Sequence, residues 1–380
     1  MLSCGEPSGD LYAGALTREL RALDPSVAVR GLGGPELAAA GGELIADYRG
    51  LSVTGLTEAV GKLPQSLATV RRLVDSARHD PPDALVAVDF PDFNFRLAHR
   101  IRRLGIPVVY YISPQLWAWR GGRLKTMRQI ADLVLVIFPF EESIYRNAGV
   151  PVAFVGHPLV DLARPSDKAG FLQRHGLSPQ APTVALLPGS RPNEVRRILP
   201  DLVGAAERIQ ARVPDVQFIV ARAPYLDDGL FEILRSRPLN RLASVEKETD
   251  GALSAADVAL IASGTATVQT AIHDTPMVIV YRVSPLTYRV LRRLVRVDAI
   301  GMVNLIAGEK IVPELIQEAF TPEAVAAEAM SMLSDGARRA RVHEGLARVR
   351  ERLGGAGASR RAAEAILRLI AERRKLTADS

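Results

Sequence analysis

The stretch Thr-Val-Ala-Leu-Leu-Pro-Gly-Ser-Arg-Pro-Asn-Glu, residues 183–194, decides the fold class of this 380-residue chain. Its first five residues, 183–187, are almost wholly apolar, which favours a strand buried on both faces. A turn follows at Pro188 and Gly189, and Pro192 stands where a helix accepts proline, in its first turn. An apolar strand that passes through a short turn into a helix indicates a parallel sheet covered by helices on both faces.

The same pattern recurs along the chain and predicts two βα-type domains in an α/β protein. The boundary is expected around 161–182, where Ala-Arg-Pro-Ser-Asp-Lys and Ser-Pro-Gln-Ala-Pro interrupt the alternation. We therefore expect an N-terminal domain over 1–160 and a C-terminal domain over 161–353. The chain beyond Thr321 is expected to be helical, with a last basic helix from Ser359 to about Lys375. The other predicted strands are Ser26–Arg30, Ala84–Val88, Pro107–Ile112, Leu133–Ile137, Val216–Ala221, Val258–Ala262 and Met277–Tyr281.

Composition excludes several protein classes. With 48% hydrophobic and 24% charged residues, the chain is typical of soluble globular proteins and unlike a disordered one. The longest apolar run, 133–140, is far shorter than the roughly 18 residues that a membrane span needs. No basic segment followed by an apolar one stands at the N-terminus, so we expect no secretory signal and a cytoplasmic protein. Because Cys4 is the single cysteine and the six histidines lack metal-ligand spacing, no metal or other cofactor is expected.

The charge balance points to an anionic partner. Lys and Arg number 48 against 42 Asp and Glu, a formal net charge of +6. Much of the excess is arginine in short clusters, which are either solvated helix faces or surfaces for phosphate, anionic lipid or nucleic acid. Because only 5% of residues are aromatic and no base-stacking motif occurs, nucleic acid is not expected as a partner. The clusters lie within 100–103, 120–128, 289–296 and 373–375.

Two loops in the second predicted domain have the chemistry of phosphate sites. In open parallel sheets, ligands bind beyond the carboxyl ends of the strands, and each loop leads from such an end into a helix. Taken singly, the loops also fit a tight turn with a surface arginine and an ordinary helix cap. Two such loops in one domain favour a nucleotide diphosphate. The candidate residues are Gly189, Ser190 and Arg191 in the first loop and Ser263, Gly264, Thr265, Ala266 and Thr267 in the second.

One carboxylate in the first predicted domain is placed as a catalytic base. Asp89 follows strand 84–88 and is surrounded by apolar residues, which raise the pKa of a carboxyl group toward the range that a general base needs. A merely structural carboxylate is the alternative interpretation.

Two more segments of this domain carry polar groups next to predicted strands. The loop 5–10 fits either the wall of a binding cleft or a capped turn. The segment 113–120 holds both tryptophans of the chain beside an arginine, which fits contact with a sugar or a lipid, with core packing as the alternative. The candidate residues are Glu6, Ser8, Gly9, Trp117 and Arg120.

Eight short strings, in order along most of the chain, resemble the lipid-A-disaccharide synthase family of bacterial glycosyltransferases. Any one string is weak evidence, whereas eight in the expected order are specific. The strings are Gly-Glu-Pro-Ser-Gly-Asp (5–10), Val-Asp-Phe-Pro-Asp-Phe-Asn (88–94), Ser-Pro-Gln-Leu-Trp-Ala-Trp-Arg (113–120), Pro-Phe-Glu-Glu (139–142), Val-Gly-His-Pro-Leu (155–159), Leu-Leu-Pro-Gly-Ser-Arg (186–191), Ser-Gly-Thr-Ala-Thr (263–267) and Asn-Leu-Ile-Ala-Gly (304–308).

The resemblance implies a GT-B architecture, in which two Rossmann-like domains face a cleft and the last helix crosses back to the first domain. The family transfers 2,3-diacylglucosamine from UDP to 2,3-diacylglucosamine 1-phosphate (lipid X), inverting the anomeric centre to give a β-1,6 disaccharide 1-phosphate and UDP. Carried over by position, Asp89 would activate the acceptor hydroxyl, and Arg191 with 263–267 would hold the UDP diphosphate. Asn304 and Glu6 would line the cleft.

The implied partners are UDP-2,3-diacylglucosamine and lipid X, both of which carry acyl chains. Each buried methylene contributes about 0.8 kcal/mol, so some twenty hold a substrate in a bilayer by on the order of 16 kcal/mol. The enzyme is therefore expected to associate peripherally with the inner leaflet of the cytoplasmic membrane, through basic clusters between Arg96 and Arg128. A homo-oligomer is compatible with this interpretation.

The sequence departs from the family pattern at several positions. Only four residues precede the Gly-Glu loop, so the first strand is expected to be short. Gln269 stands where the family commonly has Glu, at a position that binds ribose hydroxyls in related transferases. Pro7 replaces a typical Ala, and Val303 replaces the usual Pro before Asn304. Two other functions fit the same loops: a UDP-sugar 2-epimerase or hydrolase with a soluble substrate, and a non-catalytic protein that binds nucleotide sugars or membranes.

Overall fold

The structure is a computed structural model that describes residues 1–51, 56–114, 123–224, 226–283 and 301–378. The chain divides into two compact units. The first unit comprises Met1–Asp161 and Leu353–Ser380, and the second comprises Leu162–Arg352. None of the described helices is both long and apolar enough to span a membrane.

A seven-stranded sheet forms the centre of the first unit. Its strands are β1 (Leu2–Ser3), β2 (Arg30–Gly33), β3 (Glu43–Asp47), β4 (Leu85–Val88), β5 (Val108–Tyr111), β6 (Leu133–Val136) and β7 (Val152–Phe154). Their order is β3-β2-β1-β4-β5-β6-β7, and every neighbouring pair is parallel. The chain runs outward from β1 to one edge and then from β4 to the other. The carboxyl ends of β1 and β4 therefore form the switch point where open α/β sheets bind ligands.

Helices cover this sheet, and the last helix of the chain is one of them. That helix contacts the first helix, and Arg373 and Arg374 form ion pairs of 2.6 and 2.7 Å with Asp132 and Asp83. The helices are Pro7–Leu23, Pro35–Ala39, Leu56–His79, Pro91–Arg102, Arg123–Ile130, Pro139–Asn147 and Ala358–Ala378, with Leu159–Leu162 at the boundary between the units.

The second unit repeats this plan with six strands. They are β8 (Thr183–Leu187), β9 (Gln217–Arg222), β10 (Leu242–Glu246), β11 (Val258–Ala262), β12 (Met277–Tyr281) and β13 (Glu314–Ile316), in the order β10-β9-β8-β11-β12-β13 with all pairs parallel. The order again reverses, here between β8 and β11, so their carboxyl ends form a second switch point. The helices are Lys168–Arg174, Pro192–Arg212, Ile233–Ser236, Thr249–Ala255, Thr265–Ile272, Met302–Ala307, Pro322–Ser334 and Gly336–Arg352.

The α/β class, the parallel sheets and the return of the last helix to the first unit confirm the fold expected from the sequence. The strand predicted at Ser26–Arg30 is wrong, since the extended segment starts at Arg30 and continues to Gly33. A Cβ atom at Gly31 would overlap the Leu2 carbonyl of β1. The close approach of these strands thus requires glycine, and a glycine-rich strand lacks the apolar signal by which strands are recognised.

Candidate active site

The backbone at Asp89 adopts an unusual conformation. Directly after β4, Asp89 and Phe90 have φ values of 44° and 49°, in the left-handed region that residues with a side chain rarely enter. Each such residue costs on the order of 1–3 kcal/mol, and such residues cluster at functional sites. The turn leaves the Asp89 side chain half-buried at the first switch point.

Two buried side chains hold this strained turn. The Asp89 carbonyl oxygen accepts hydrogen bonds from Asn94 Nδ2 at 2.8 Å and from the Tyr110 hydroxyl at 2.7 Å. Asn94 also donates to the Val88 carbonyl at 3.2 Å and accepts from the Ser3 hydroxyl at 2.6 Å. These bonds tie the turn after β4 to β1. The sequence pattern assigned neither residue this role, although an asparagine in register with the apolar positions 97, 98 and 101 was a usable signal.

The loop 5–10 lies beside Asp89, as the shared switch point requires. A Cβ atom at Gly5 would overlap the Phe90 ring, so the two segments are in direct contact. Asp10 is buried, and its carboxylate accepts from the backbone N–H groups of Gly34 at 2.7 Å and Glu36 at 2.9 Å. The Asp10 carboxylate therefore caps the first turn of the helix Pro35–Ala39. Of the candidates here, Glu6 and Ser8 are half-buried and Gly9 is buried.

A buried aromatic cluster belongs to the same unit. The rings of Tyr12 and Phe138 lie 6.0 and 5.5 Å from the His157 ring, measured between centroids. His157 Nδ1 accepts a hydrogen bond from the Leu159 backbone N–H at 3.1 Å, which assigns the proton of the neutral ring to Nε2. Burial lowers the pKa of His157 to about 3, so the ring is neutral at physiological pH.

The loop after β8 leads into a helix whose third residue, Glu194, turns its carboxylate back onto the loop. Gly189 has a φ of 119°, which favours glycine, and the helix starting at Pro192 follows. Glu194 Oε2 accepts from the N–H groups of Ser190 at 3.2 Å and Arg191 at 3.3 Å, and its Oε1 lies 3.3 Å from the Arg191 guanidinium. Glu194 therefore already occupies two backbone N–H groups of this loop that a bound phosphate could otherwise use.

The loop after β11 is more open. Gly264 and Thr265 are exposed, Ser263 and Ala266 are half-buried, and a Cβ atom at Gly264 would meet no other atom within 4 Å. Thr267 is buried, and its hydroxyl donates to the Gly264 carbonyl at 2.7 Å. A ligand can thus approach the backbone of this loop closely, while Thr267 holds the loop's shape.

The two loops lie side by side in the second unit. β8 and β11 are adjacent and parallel, with Leu187 opposite Ile261, so both loops leave the same edge of the sheet. Tyr281 ends the next strand, β12. Burial raises the pKa of Tyr281, the charge of Glu194 raises it further and Arg191 opposes both, so this phenol lies within electrostatic reach of the β8 loop. The pattern of the sequence did not single it out.

The side chains of Gln269 and Asn304 form hydrogen bonds with other residues of the protein. Gln269 Nε2 donates to Asp250 Oδ1 at 2.7 Å, and His273 Nε2 lies 2.7 Å from the same oxygen. Burial alone would raise the pKa of Asp250, but the hydrogen bonds from His273 and Gln269 outweigh it and hold this pKa below its usual value.

Asn304 is buried with all its hydrogen-bonding positions filled. Its Oδ1 accepts from the N–H groups of Ile311 at 2.9 Å and Val312 at 3.1 Å, and its Nδ2 donates to the Val312 carbonyl at 2.9 Å and to Glu314 Oε1 at 2.7 Å. With these four hydrogen bonds, Asn304 fixes the conformation of the segment 304–314.

Two candidates, Trp117 and Arg120, lie outside the described residues. Among the residues that the structure does describe, no three His, Cys, Asp or Glu side chains group closely enough to hold a metal ion.

Comparison with known proteins connects this geometry to a family. A family model described as lipid-A-disaccharide synthetase matches residues 1–369. A lipid-A-disaccharide synthase of Myxococcus xanthus is 44% identical over 375 residues, which is 97% of each chain. The Geobacter sulfurreducens protein of the same name is 42% identical over 377 residues, again 97% of each chain.

Solved structures show the fold. The glycotransferase of kitacinnamycin has a TM-score of 0.63 and 19% identity, covering 97% of this chain and 98% of its own. The UDP-GlcNAc 2-epimerase from Neisseria meningitidis, bound to UDP-GlcNAc, has a TM-score of 0.69 and 11% identity, covering 97% and 99%. Because the fold is shared by transferases and epimerases alike, the choice between these reactions rests on the sequence relatives.

Proposed function

The chain belongs to the lipid-A-disaccharide synthetase family, and from that premise we propose that Asp89 is the base of an inverting transfer of 2,3-diacylglucosamine. The donor is UDP-2,3-diacylglucosamine and the acceptor is 2,3-diacylglucosamine 1-phosphate. The observation that carries this proposal is the strained turn at Asp89, held at a switch point by Asn94 and Tyr110.

The chemistry needs one base and one stabilised leaving group. The Asp89 carboxylate takes the proton of the acceptor 6-hydroxyl as that oxygen attacks the anomeric carbon of the donor. The bond between this carbon and the diphosphate oxygen breaks, so the anomeric centre inverts and UDP departs. A positioned general base contributes about 100-fold to 10,000-fold in rate.

The donor nucleotide is assigned to the second switch point. In this proposal Gly189, Ser190 and Arg191 face the diphosphate together with 263–267, through backbone N–H groups, hydroxyls and one guanidinium. Arg191 exchanges its contact with Glu194 for a phosphate oxygen. Gln269 faces the ribose through Oε1, since its Nε2 is held by Asp250. Asn304 acts by shaping the segment around it.

The acceptor is assigned to the first unit. Glu6, Ser8 and Gly9 adjoin Asp89 at the first switch point, and Trp117 and Arg120 are proposed to contact the acceptor. The domain spanning 1–160, completed by the helix 359–375, would then be the acceptor and membrane-facing domain. The domain spanning 161–353 would hold the UDP-sugar.

Both substrates are lipids, so the enzyme has to meet them at a bilayer. We propose a cytoplasmic protein that associates peripherally with the inner leaflet of the cytoplasmic membrane, where anionic lipids attract basic segments by about 1 kcal/mol per Lys or Arg. Assembly into a homo-oligomer stays a prediction.

The test is Asp89→Asn, assayed in detergent with both lipid substrates and a chelator. We expect turnover to fall by about 100-fold to 10,000-fold, while the dissociation constant for UDP stays within about twofold of its original value. Disaccharide and UDP are quantified by mass spectrometry, and UDP binding by calorimetry.

Asp92→Asn is the matched control, because it makes the same change on an exposed residue three positions away. It should leave turnover within about twofold. If Asp89→Asn turns over as fast as the unaltered enzyme, another group is the base.

A further inference from the structure

A basic groove lies on the outer side of the first unit, between the helices Leu56–His79 and Pro91–Arg102 and just beyond the second of them. Arg71 and Arg78 line it from the first helix, and Arg100 and Arg103 line it from the other side. Its volume is about 430 Å³. The arginines at 71 and 78, seven residues apart, share one face of their helix. We call this feature the arginine groove.

The charges in the arginine groove are poorly balanced. Among the described residues, Asp75 is the single acidic one that lines it, and its carboxylate pairs with Arg78 at 3.0 Å. Arg71, Arg100 and Arg103 form no ion pair with any residue in the described ranges. Among the described residues that line the groove, four guanidiniums against one carboxylate leave an excess of three positive charges.

The floor of the arginine groove is apolar, and none of the described residues that line the groove is aromatic. Val74 is 4% exposed, and Leu104 is half-buried beside it. Base stacking on single-stranded nucleic acid needs aromatic side chains, so this surface is unsuited to that partner. Guanidiniums form paired hydrogen bonds to phosphate oxygens, and an apolar floor suits the hydrocarbon part of a lipid headgroup region.

The basic surface continues onto the next helix. Arg123–Ile130 contacts Pro91–Arg102, and a second groove of about 620 Å³ is lined by Lys125 and Arg128 with Leu124. Lys125 and Arg128 are exposed. Three neighbouring helices thus present arginine and lysine outward, as a surface that meets a flat anionic partner requires.

We propose that the arginine groove binds the phosphate groups of anionic phospholipids and docks the enzyme on the bilayer. This inference rests on the proposed function, because an enzyme with two membrane-anchored substrates needs a docking surface. It assigns that surface to Arg71, Arg100 and Arg103. Arginine near an anionic surface strengthens partitioning by roughly fivefold each, so the three together are expected to account for about 100-fold.

The test compares two triple variants that change the net charge equally. One is Arg71→Gln with Arg100→Gln and Arg103→Gln, and its matched control replaces three exposed arginines elsewhere, Arg18, Arg212 and Arg368, by Gln. Both are sedimented with vesicles of phosphatidylcholine alone and with 30–40% phosphatidylglycerol, roughly the anionic content needed for a strong surface potential. Thermal unfolding and UDP binding report whether each variant is intact.

We expect the groove variant to lose about 100-fold in partitioning onto the anionic vesicles, and the control to lose less than about threefold. Binding of the unaltered chain to anionic vesicles should also weaken as salt is raised. Equal losses in both variants, or none in the groove variant, would overturn the proposal.

A single-stranded oligonucleotide could instead compete with vesicles for the unaltered chain and the control variant but not for the groove variant. That result would also overturn the proposal, in favour of nucleic acid. The proposed function is judged separately, by disaccharide formation in detergent by the unaltered enzyme. If the protein makes disaccharide but binds vesicles without the arginine groove, the proposed function stands and the proposed docking surface is wrong.

Discussion

At the scale of single residues, the contact of Gly5 with the Phe90 ring connects the two segments of the first switch point. In Gly5→Ala the added Cβ atom displaces this ring and with it the neighbouring Asp89. We expect the free energy of unfolding to fall by about 1–3 kcal/mol, as in other overpacked sites, and turnover to fall as well because the base moves. Urea unfolding and the detergent assay measure the two effects.

Gly336→Ala is the control for this substitution. No atom lies within 4 Å of a Cβ atom built at Gly336, which begins the helix Gly336–Arg352. That variant should be as stable as the original or slightly more so, since alanine favours helix over glycine. A Gly5→Ala protein with unaltered stability and turnover would show that the Phe90 ring does not fix Asp89.

His157 makes the stability of the first unit dependent on pH. Its pKa is lowered by burial from 6.5 to about 3, so the folded protein resists protonation that the unfolded chain accepts. Above about pH 7 this group has no effect, and stability is lost as pH falls below 6.5. At pH 5 the loss due to His157 is roughly 2 kcal/mol.

The variant His157→Asn isolates that effect, because asparagine Oδ1 can replace Nδ1 as the acceptor for the Leu159 N–H. Urea unfolding at pH 7.5 and pH 5 should show a smaller drop in this variant than in the original. His79→Asn, which alters an exposed histidine, should keep the original drop. Equal pH dependence in all three proteins would mean that His157 titrates normally.

At the scale of elements, the start of the helix Pro192–Arg212 holds an anion of its own. The Glu194 carboxylate occupies the N–H groups of Ser190 and Arg191, where the proposed diphosphate would bind. In Glu194→Gln the capping geometry can persist while the negative charge is lost. We expect UDP to bind about threefold more tightly, the size of one partly screened charge interaction, with the gain shrinking at high salt.

Calorimetric titration with UDP at two salt concentrations measures this. Glu207→Gln is the control, since Glu207 lies on the same helix and pairs with Arg237 instead. Weaker UDP binding in Glu194→Gln would mean that the carboxylate positions Arg191 for the ligand and does not compete with it.

Elements differ in how much of them the sequence could predict. Strands β8, β11 and β12 have the predicted bounds because each is a continuous apolar run. Strands β3, β7 and β10 were missed because their residues are only partly buried or alternate, so a search for apolar runs passes over them. The backbone groups that cap and clamp residues such as Glu194 and Asn94 bind were not predicted, for another reason. The roles of such residues depend on which backbone groups the fold brings near, and spacing along the chain does not encode that.

At the scale of the whole molecule, each unit has a hydrophobic core and a switch point of its own. In the proposed function the two switch points serve different reactants, one the acceptor and base, the other the nucleotide. The family match covers residues 1–369 and therefore both units. If the two units bind different reactants, one ligand should stabilise one unit more than the other.

Hydrogen exchange with and without UDP tests whether the nucleotide binds the second unit alone. At 100 times its dissociation constant, UDP stabilises the bound form by about 2.7 kcal/mol. We expect added protection in the segments around 188–194 and 263–272, and none in Pro91–Arg102, whose first turn follows Asp89. The apolar strand β6 serves as an internal reference, since neither switch point includes it. If UDP instead protects the segment after β4 and leaves 263–272 unchanged, the nucleotide binds in the first unit and the roles proposed for the two units are reversed.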